Sequence, residues 1–155
     1  SDMLSCEYNI NSLLTELRQV VIKSVERRLV ADRPIAFLLS GGVDSSLVAG
    51  IASKKLGKIN TFCCGMNEGT DLKYARMVAQ HIGSNHTEVF FTPQEALDAI
   101  PDVIRTIESW DTTSVRASVG QYLVCRWIGQ HTDCRVVLVG EGPDEICSSY
   151  LFLVN

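Results

Sequence analysis

The feature that constrains this chain most is a junction. Five apolar residues, Ile35-Ala36-Phe37-Leu38-Leu39, run into Ser40-Gly41-Gly42, and a helical pattern follows over residues 43–56. A short unbroken apolar run fits a strand buried on both faces, as strands of parallel sheets are. The two glycines permit a tight turn and a close backbone approach to a ligand. The N–H groups that open the next helix then point outward and favour an anion. Ser40, Ser45 and Ser46 add hydroxyl donors. Asp44 is a carboxylate where a pure anion site should avoid one, unless it holds a metal that bridges phosphates. Read as a plain junction, the same residues are turn filler. Gly-Gly, Asp and paired Ser all fit one anion-plus-metal site better.

The cycle of strand, turn and helix repeats along the chain. Residues 8–29 read as an amphipathic helix, with Leu13, Leu14, Leu17, Val20, Val21, Val25 and Leu29 at three- and four-residue steps. Ile59 to Cys64 is a second strand, and Asp71 to Ile82 a helix stopped by Gly83. Thr87 to Phe91 is a third strand. Residues 95–108 form a helix started by Thr92-Pro93 and interrupted at Pro101. Val115 to His131 is a helix, Cys134 to Val139 a fourth strand, and Glu145 to Leu153 begins a last helix. Strands alternating with helices predict an α/β fold: a doubly wound parallel sheet of about four strands, order 3-2-1-4, with helices on both faces. The 155 residues suit a single domain, and 46% hydrophobic against 21% charged residues argues against disorder.

A net charge of −4 gives no reason to expect nucleic-acid or membrane-surface binding. No apolar run reaches the roughly 18 residues of a membrane helix, and the N-terminus has no secretory pattern. Cys6, Cys63, Cys64, Cys125, Cys134 and Cys147 include no C-x-x-C pair. That speaks against a zinc ribbon or redox motif and for a reduced, cytoplasmic protein. Adjacent Cys63-Cys64 look like small core residues of one strand. His81, His86 and His131 show no ligand spacing, and Trp110 and Trp127 read as core or interface residues.

Two further segments carry chemistry. Gly140-Glu141-Gly142-Pro143-Asp144-Glu145 again follows a strand, with three carboxylates in five residues. Open α/β sheets bind ligands at the carboxyl ends of their strands, where strand order reverses. With order 3-2-1-4 that crevice lies between the first and fourth strands and unites Asp44 with Asp144. Two carboxylates facing a triphosphate call for a divalent cation between them. The other segment runs from Glu108 to Ser118, with Thr113 or Ser114 opening a helix. Arg116 sits near that start, where the dipole disfavours it and a bound anion would help.

The loop SGGVDSS is neither a Walker A loop nor a dinucleotide fingerprint. It resembles the pyrophosphate loop of the N-type ATP pyrophosphatase superfamily, whose fold is adenine nucleotide alpha hydrolase-like and whose members form an adenylate from ATP. Together with Asp71-Leu72-Lys73, Thr113 to Ser118 and GEGPDEI in order, residues 12–153 resemble the synthetase domain of glutamine-dependent asparagine synthetase. The resemblance implies ATP and Mg²⁺, with aspartate and ammonia as further substrates. It assigns Ser40, Gly41, Gly42, Asp44, Ser45 and Ser46 to pyrophosphate, and Asp44 and Asp144 to Mg²⁺. Leu38, Cys64 and Gly140 would line AMP, and Thr113, Arg116, Glu141 and Glu145 would surround aspartate.

The family's glutaminase domain and helical second half are absent, so this looks like the first part of a synthetase domain. A glutaminase domain, the missing half and a second copy are the protein partners to expect. Local departures are Val139 where Ser is common, Val119-Gly120 for Thr-Pro, Cys64 for Val, and Ser148-Ser149 for two glycine-like residues. The alternatives are a β-lactam synthetase-like or other amidotransferase relative, and a non-catalytic nucleotide-binding module needing a second half.

Overall fold

The computed structural model describes residues 9–66 and 70–142. Asp144, Glu145, Cys6, Cys147 and the helix expected from Glu145 lie outside the described residues. Four parallel strands form one sheet: β1 (Ile35–Leu38), β2 (Asn60–Gly65), β3 (Asn85–Phe90) and β4 (Val136–Leu138). Their order is β3-β2-β1-β4, the order expected from the sequence. Ala36 pairs with Asn60 and with Val137, and Thr61 pairs with His86.

Among the described residues, five helices connect and cover the sheet: α1 (Ile10–Arg28), α2 (Val43–Leu56), α3 (Thr70–Ile82), α4 (Pro93–Ile107) and α5 (Thr112–His131). Side chains alternate across a strand, so β1, β2 and β4 each feed two cores. Phe37, Leu39 and Cys63 pack with Ala49 and Ala52 of α2 and Leu72, Ala75 and Ala79 of α3. Ala36, Phe62 and Val89 pack on the opposite face with Val124 and Ile128 of α5. Phe37 is 1% exposed, a burial worth roughly 1.5–3 kcal/mol. Small residues on α2 and α3 let the helix backbones approach the sheet, which is how the glycine loop comes to be held tightly.

Several boundaries differ from the sequence reading. β3 begins at Asn85, because polar Asn85 and His86 pair with Asn60 and Thr61 on the neighbouring strand. α4 continues through Pro101. Pro101 is exposed, so its ring finds room in solvent, and the helix gives up one N–H bond there. α5 begins at Thr112, capped by Asp111 rather than by Thr113 or Ser114. β4 is shorter than Cys134–Val139. The apolar stripe of α1 is buried only at Val25; Leu13, Leu14, Leu17 and Val20 are exposed. Trp110 is also not a core residue, being 88% exposed. Trp127 packs against Phe62 at 6.1 Å between ring centroids and stacks on His131 at 4.5 Å. Among the described residues, no helix is long and apolar enough to cross a membrane.

Candidate functional site

The site grows from the carboxyl end of β1. The chain leaves Leu39, turns at Ser40-Gly41-Gly42 and enters α2. Gly41 has φ +83°, and a Cβ there would stand 2.5 Å from backbone atoms of Tyr74 and Ala75 in α3. Only glycine satisfies both the turn and that close approach. Gly140, just past β4, is held as tightly: a Cβ would meet the backbone nitrogen of Ser45 and stand 2.7 Å from its Cα. The end of β4 is therefore pressed against the first turn of α2, which is the crevice the strand order predicts.

Hydroxyl groups organise the loop from within. Ser45 Oγ donates to the Gly42 carbonyl (3.3 Å) and accepts from the Ser40 backbone N–H (3.3 Å). Its proton is thereby committed, so in the 3.0 Å contact between the two hydroxyls Ser40 Oγ is the donor. Ser40 Oγ also accepts from the Gly42 N–H at 3.3 Å. Gly42 is the N-cap of α2, and no side chain caps that helix. The first turn thus presents N–H groups that nothing in the loop's own side chains covers. Ser46 Oγ is buried without a hydrogen-bond partner among the described residues, a state that native polar groups rarely keep.

A crevice of about 410 Å³ opens beside this turn. Of the residues singled out from sequence, Leu38, Ser40, Gly42, Asp44, Ser45, Cys64, Gly140 and Glu141 line it. Gly41 and Ser46 do not line it. Thr113 and Arg116 are exposed residues near the start of α5 and do not line the crevice. The cap of that helix is Asp111, which accepts from the Ser114 N–H at 2.8 Å. Asp144 and Glu145 lie outside the described residues.

The crevice also includes residues that motif reading passed over. Ala117, Gly120, Gln121 and Val124 line it from one face of α5. Their spacing of three to four residues was the available signal. Gln121 Nε2 donates to Glu141 Oε1 at 2.9 Å, tying α5 to the turn after β4. Cys64 donates its thiol to the Gly120 carbonyl at 3.3 Å, and burial pushes that thiol up to about 11. It is a neutral lining group, not a nucleophile. Asp71 of α3 faces the same space.

A turn with uncovered N–H groups, three serine hydroxyls and one carboxylate suits a phosphate chain carrying a divalent cation. Comparisons with known proteins identify the family. Residues 16–154 match the family described as asparagine synthase. The glutamine-hydrolyzing asparagine synthetase of Homo sapiens is 43% identical over 151 residues, 94% of this chain and 27% of that protein. A probable asparagine synthetase of Acanthamoeba polyphaga mimivirus is 45% identical over 150 residues, again covering 27% of the relative. The chain thus spans about a quarter of the length of these curated relatives. An NH₃-dependent NAD synthetase from Campylobacter jejuni shares the fold, with a TM-score of 0.57 at 14% identity over 88% of this chain and 60% of that one. By the extent of its family match, this chain belongs to the asparagine synthase family.

Proposed function

We propose that this chain is the nucleotide-binding part of an asparagine synthetase-type ligase. The crevice takes ATP as substrate, with the pyrophosphate portion on the Ser40–Ser46 turn and the nucleoside toward Leu38, Cys64 and Gly140. Aspartate is the carboxylate to be activated and ammonia the final nucleophile. In this reading the aspartate side-chain carboxylate attacks the α-phosphorus, pyrophosphate departs, and ammonia then displaces AMP to give asparagine. Asp44 is the described residue that would hold Mg²⁺, with Asp144 as its companion, and the ion would neutralise charge on the leaving pyrophosphate. The chain's own contribution is positioning: oriented N–H groups, fixed hydroxyls and a crevice that narrows the approach. The family match and the four free cysteines among the described residues support a reducing, cytoplasmic setting.

The observation that carries this reading is the uncapped start of α2 pressed against Gly140. Calorimetric titration with Mg²⁺-ATP tests it. Saturable binding that falls at least about tenfold in Asp44→Ala is the expected result, a loss of roughly 1.4 kcal/mol. Equal binding by both proteins would sink it.

One observation favours a second reading, a module that binds nucleotide without turnover. Thr113 and Arg116, two of the four groups expected around aspartate, are exposed and outside the crevice lining, although Glu141 is part of it. Aspartate-dependent exchange of pyrophosphate into ATP separates the two readings. Exchange above background supports the ligase, and nucleotide binding without exchange supports the module.

A further inference from the structure

β2 and β3 bring together three side chains that could ligate a cation: Cys63, His86 and Glu88. We propose that Cys63 Sγ, His86 Nε2 and a carboxylate oxygen of Glu88 form a site for a thiophilic divalent cation of the zinc class, with solvent as the fourth ligand. The three ligand atoms lie within 4.8 Å of one another. Cys63 Sγ and His86 Nε2 are 3.3 Å apart. A tetrahedral ion with Zn–S and Zn–N bonds of ~2.3 and ~2.0 Å holds its sulfur and nitrogen roughly 3.5 Å apart. The pair therefore needs to open by only a few tenths of an ångström.

The imidazole is already oriented for the task. His86 Nδ1 lies 2.9 Å from Thr61 Oγ1, Thr61 Oγ1 lies 2.7 Å from Ser84 Oγ, and Ser84 Oγ donates to the Ala79 carbonyl at 3.4 Å. The carbonyl at the end can only accept. Reading back along the chain, Ser84 accepts from Thr61, and Thr61 accepts from the His86 Nδ1–H. The Nε2 lone pair is left facing the Cys63 sulfur. A metal-binding histidine has this arrangement, its second nitrogen donating to a fixed partner. Thr61, the middle of the relay, is fully buried, while Ser84 and His86 are half-buried.

Two features define what the site must overcome. Burial, more than any neighbour, pushes the Cys63 thiol up to about 12, so the arriving cation replaces the thiol proton, which leaves to solvent. Glu88 also binds Arg76, with Nε to Oε1 and Nη2 to Oε2 both at 2.9 Å. Arg76 is half exposed and Glu88 much less so, and a carboxylate has about four lone-pair sites. Arginine occupies two and can swing into solvent. Access is from a surface hollow bordered by Lys58, Arg76, Ser84, His86 and Glu88. Cys63 also borders the nucleotide crevice, whereas His86, Glu88 and the Thr61–Ser84 relay do not.

Cadmium titration of the reduced 155-residue chain, read by thiolate-to-cadmium ultraviolet absorption, tests the proposal, with Zn²⁺ as competitor. The expected result is one tight equivalent that Zn²⁺ displaces. Cys63→Ala abolishes it, while Cys64→Ala and Cys125→Ala retain it. Glu88→Gln weakens binding, Thr61→Val weakens it roughly tenfold as loss of a supporting partner does, and Arg76→Gln tightens it. An unchanged equivalent in Cys63→Ala overturns the proposal, as does Arg76→Gln binding more weakly. X-ray absorption on the unmutated zinc-loaded chain guards against a variant that fails to fold. One sulfur at about 2.3 Å with nitrogen and oxygen neighbours supports the site; two or more sulfurs overturn it.

Discussion

Three helix starts in this protein are built from the same backbone and finished in two ways. α4 begins with a closed capping box: Thr92 Oγ1 accepts from the Glu95 N–H, and Glu95 Oε2 accepts from the Thr92 N–H at 2.7 Å. α5 begins under Asp111, which accepts from both the Ser114 N–H and its hydroxyl. α2 begins at Gly42 with no side-chain cap. The first two satisfy their own N–H groups with side chains of the chain itself. The third keeps its N–H groups for something else, and the surrounding crevice is placed to deliver it. A helix start becomes a site when the sequence withholds the cap.

The largest expected effect attacks the frame of the open start. Gly41→Ala combines left-handed strain of ~1–2 kcal/mol with a backbone collision worth ~1–3 kcal/mol. Chemical denaturation should record a loss of about 2–5 kcal/mol. Gly57 shares the positive φ but has nothing within 4 Å of a Cβ, so Gly57→Ala should lose only the ~1–2 kcal/mol of strain. Similar losses at both positions would mean that the packing of α3 on the loop has been misjudged.

The next effect converts the open start into a closed one. Gly42 has φ −68° and a Cβ there would meet Ser40 Oγ at 3.4 Å, so Gly42→Asp fits. Its carboxylate would cap α2, raising stability by a few tenths of a kcal/mol. Mg²⁺-ATP affinity should fall at least about tenfold, because the cap occupies the anion's place. Opening a closed start is a smaller change: Thr92→Ala should cost ~1 kcal/mol of stability and leave nucleotide affinity unchanged.

The smallest effect appears with pH. The Thr92 N–H holds the Glu95 carboxyl below its ordinary range, and the Ser114 N–H does the same for Asp111. A folded-state value below the unfolded one stabilises fully above the unfolded value of roughly 4, and that contribution is lost as pH falls through the folded value. The thermal midpoint gap between the unmutated chain and Glu95→Gln should therefore be constant near neutrality and close in acid. A gap that widens in acid would contradict the capping geometry.

Much of this was legible beforehand, for identifiable reasons. β1 and the loop after it declare themselves because a strand buried on both faces is apolar throughout and the glycines follow at once. The strand order follows from alternating strands and helices and the position of the acidic turn. Three things were hidden. The Cys63–His86 pair spans two strands, and only the Thr61–His86 register brings it together; no spacing rule sees that. Asp111 outcompetes Thr113 as a cap because its carboxylate serves two groups of Ser114 at once. The stripe on α1 has a core-like period yet is mostly exposed, since periodicity reports which residues share a face and not what covers it.

The contact between Gly140 and Ser45 also sets a timetable. β1 pairs with β2 at Ala36–Asn60, but with β4 only at Ile35–Val136, roughly 100 residues later. At a synthesis rate of about 5–20 residues per second, one edge of an apolar strand waits ~5–20 s for its neighbour on the ribosome. The crevice wall arrives with that neighbour. A nascent chain can thus hold a finished glycine loop and still be unable to grip its ligand, with an open strand edge that invites association with other chains.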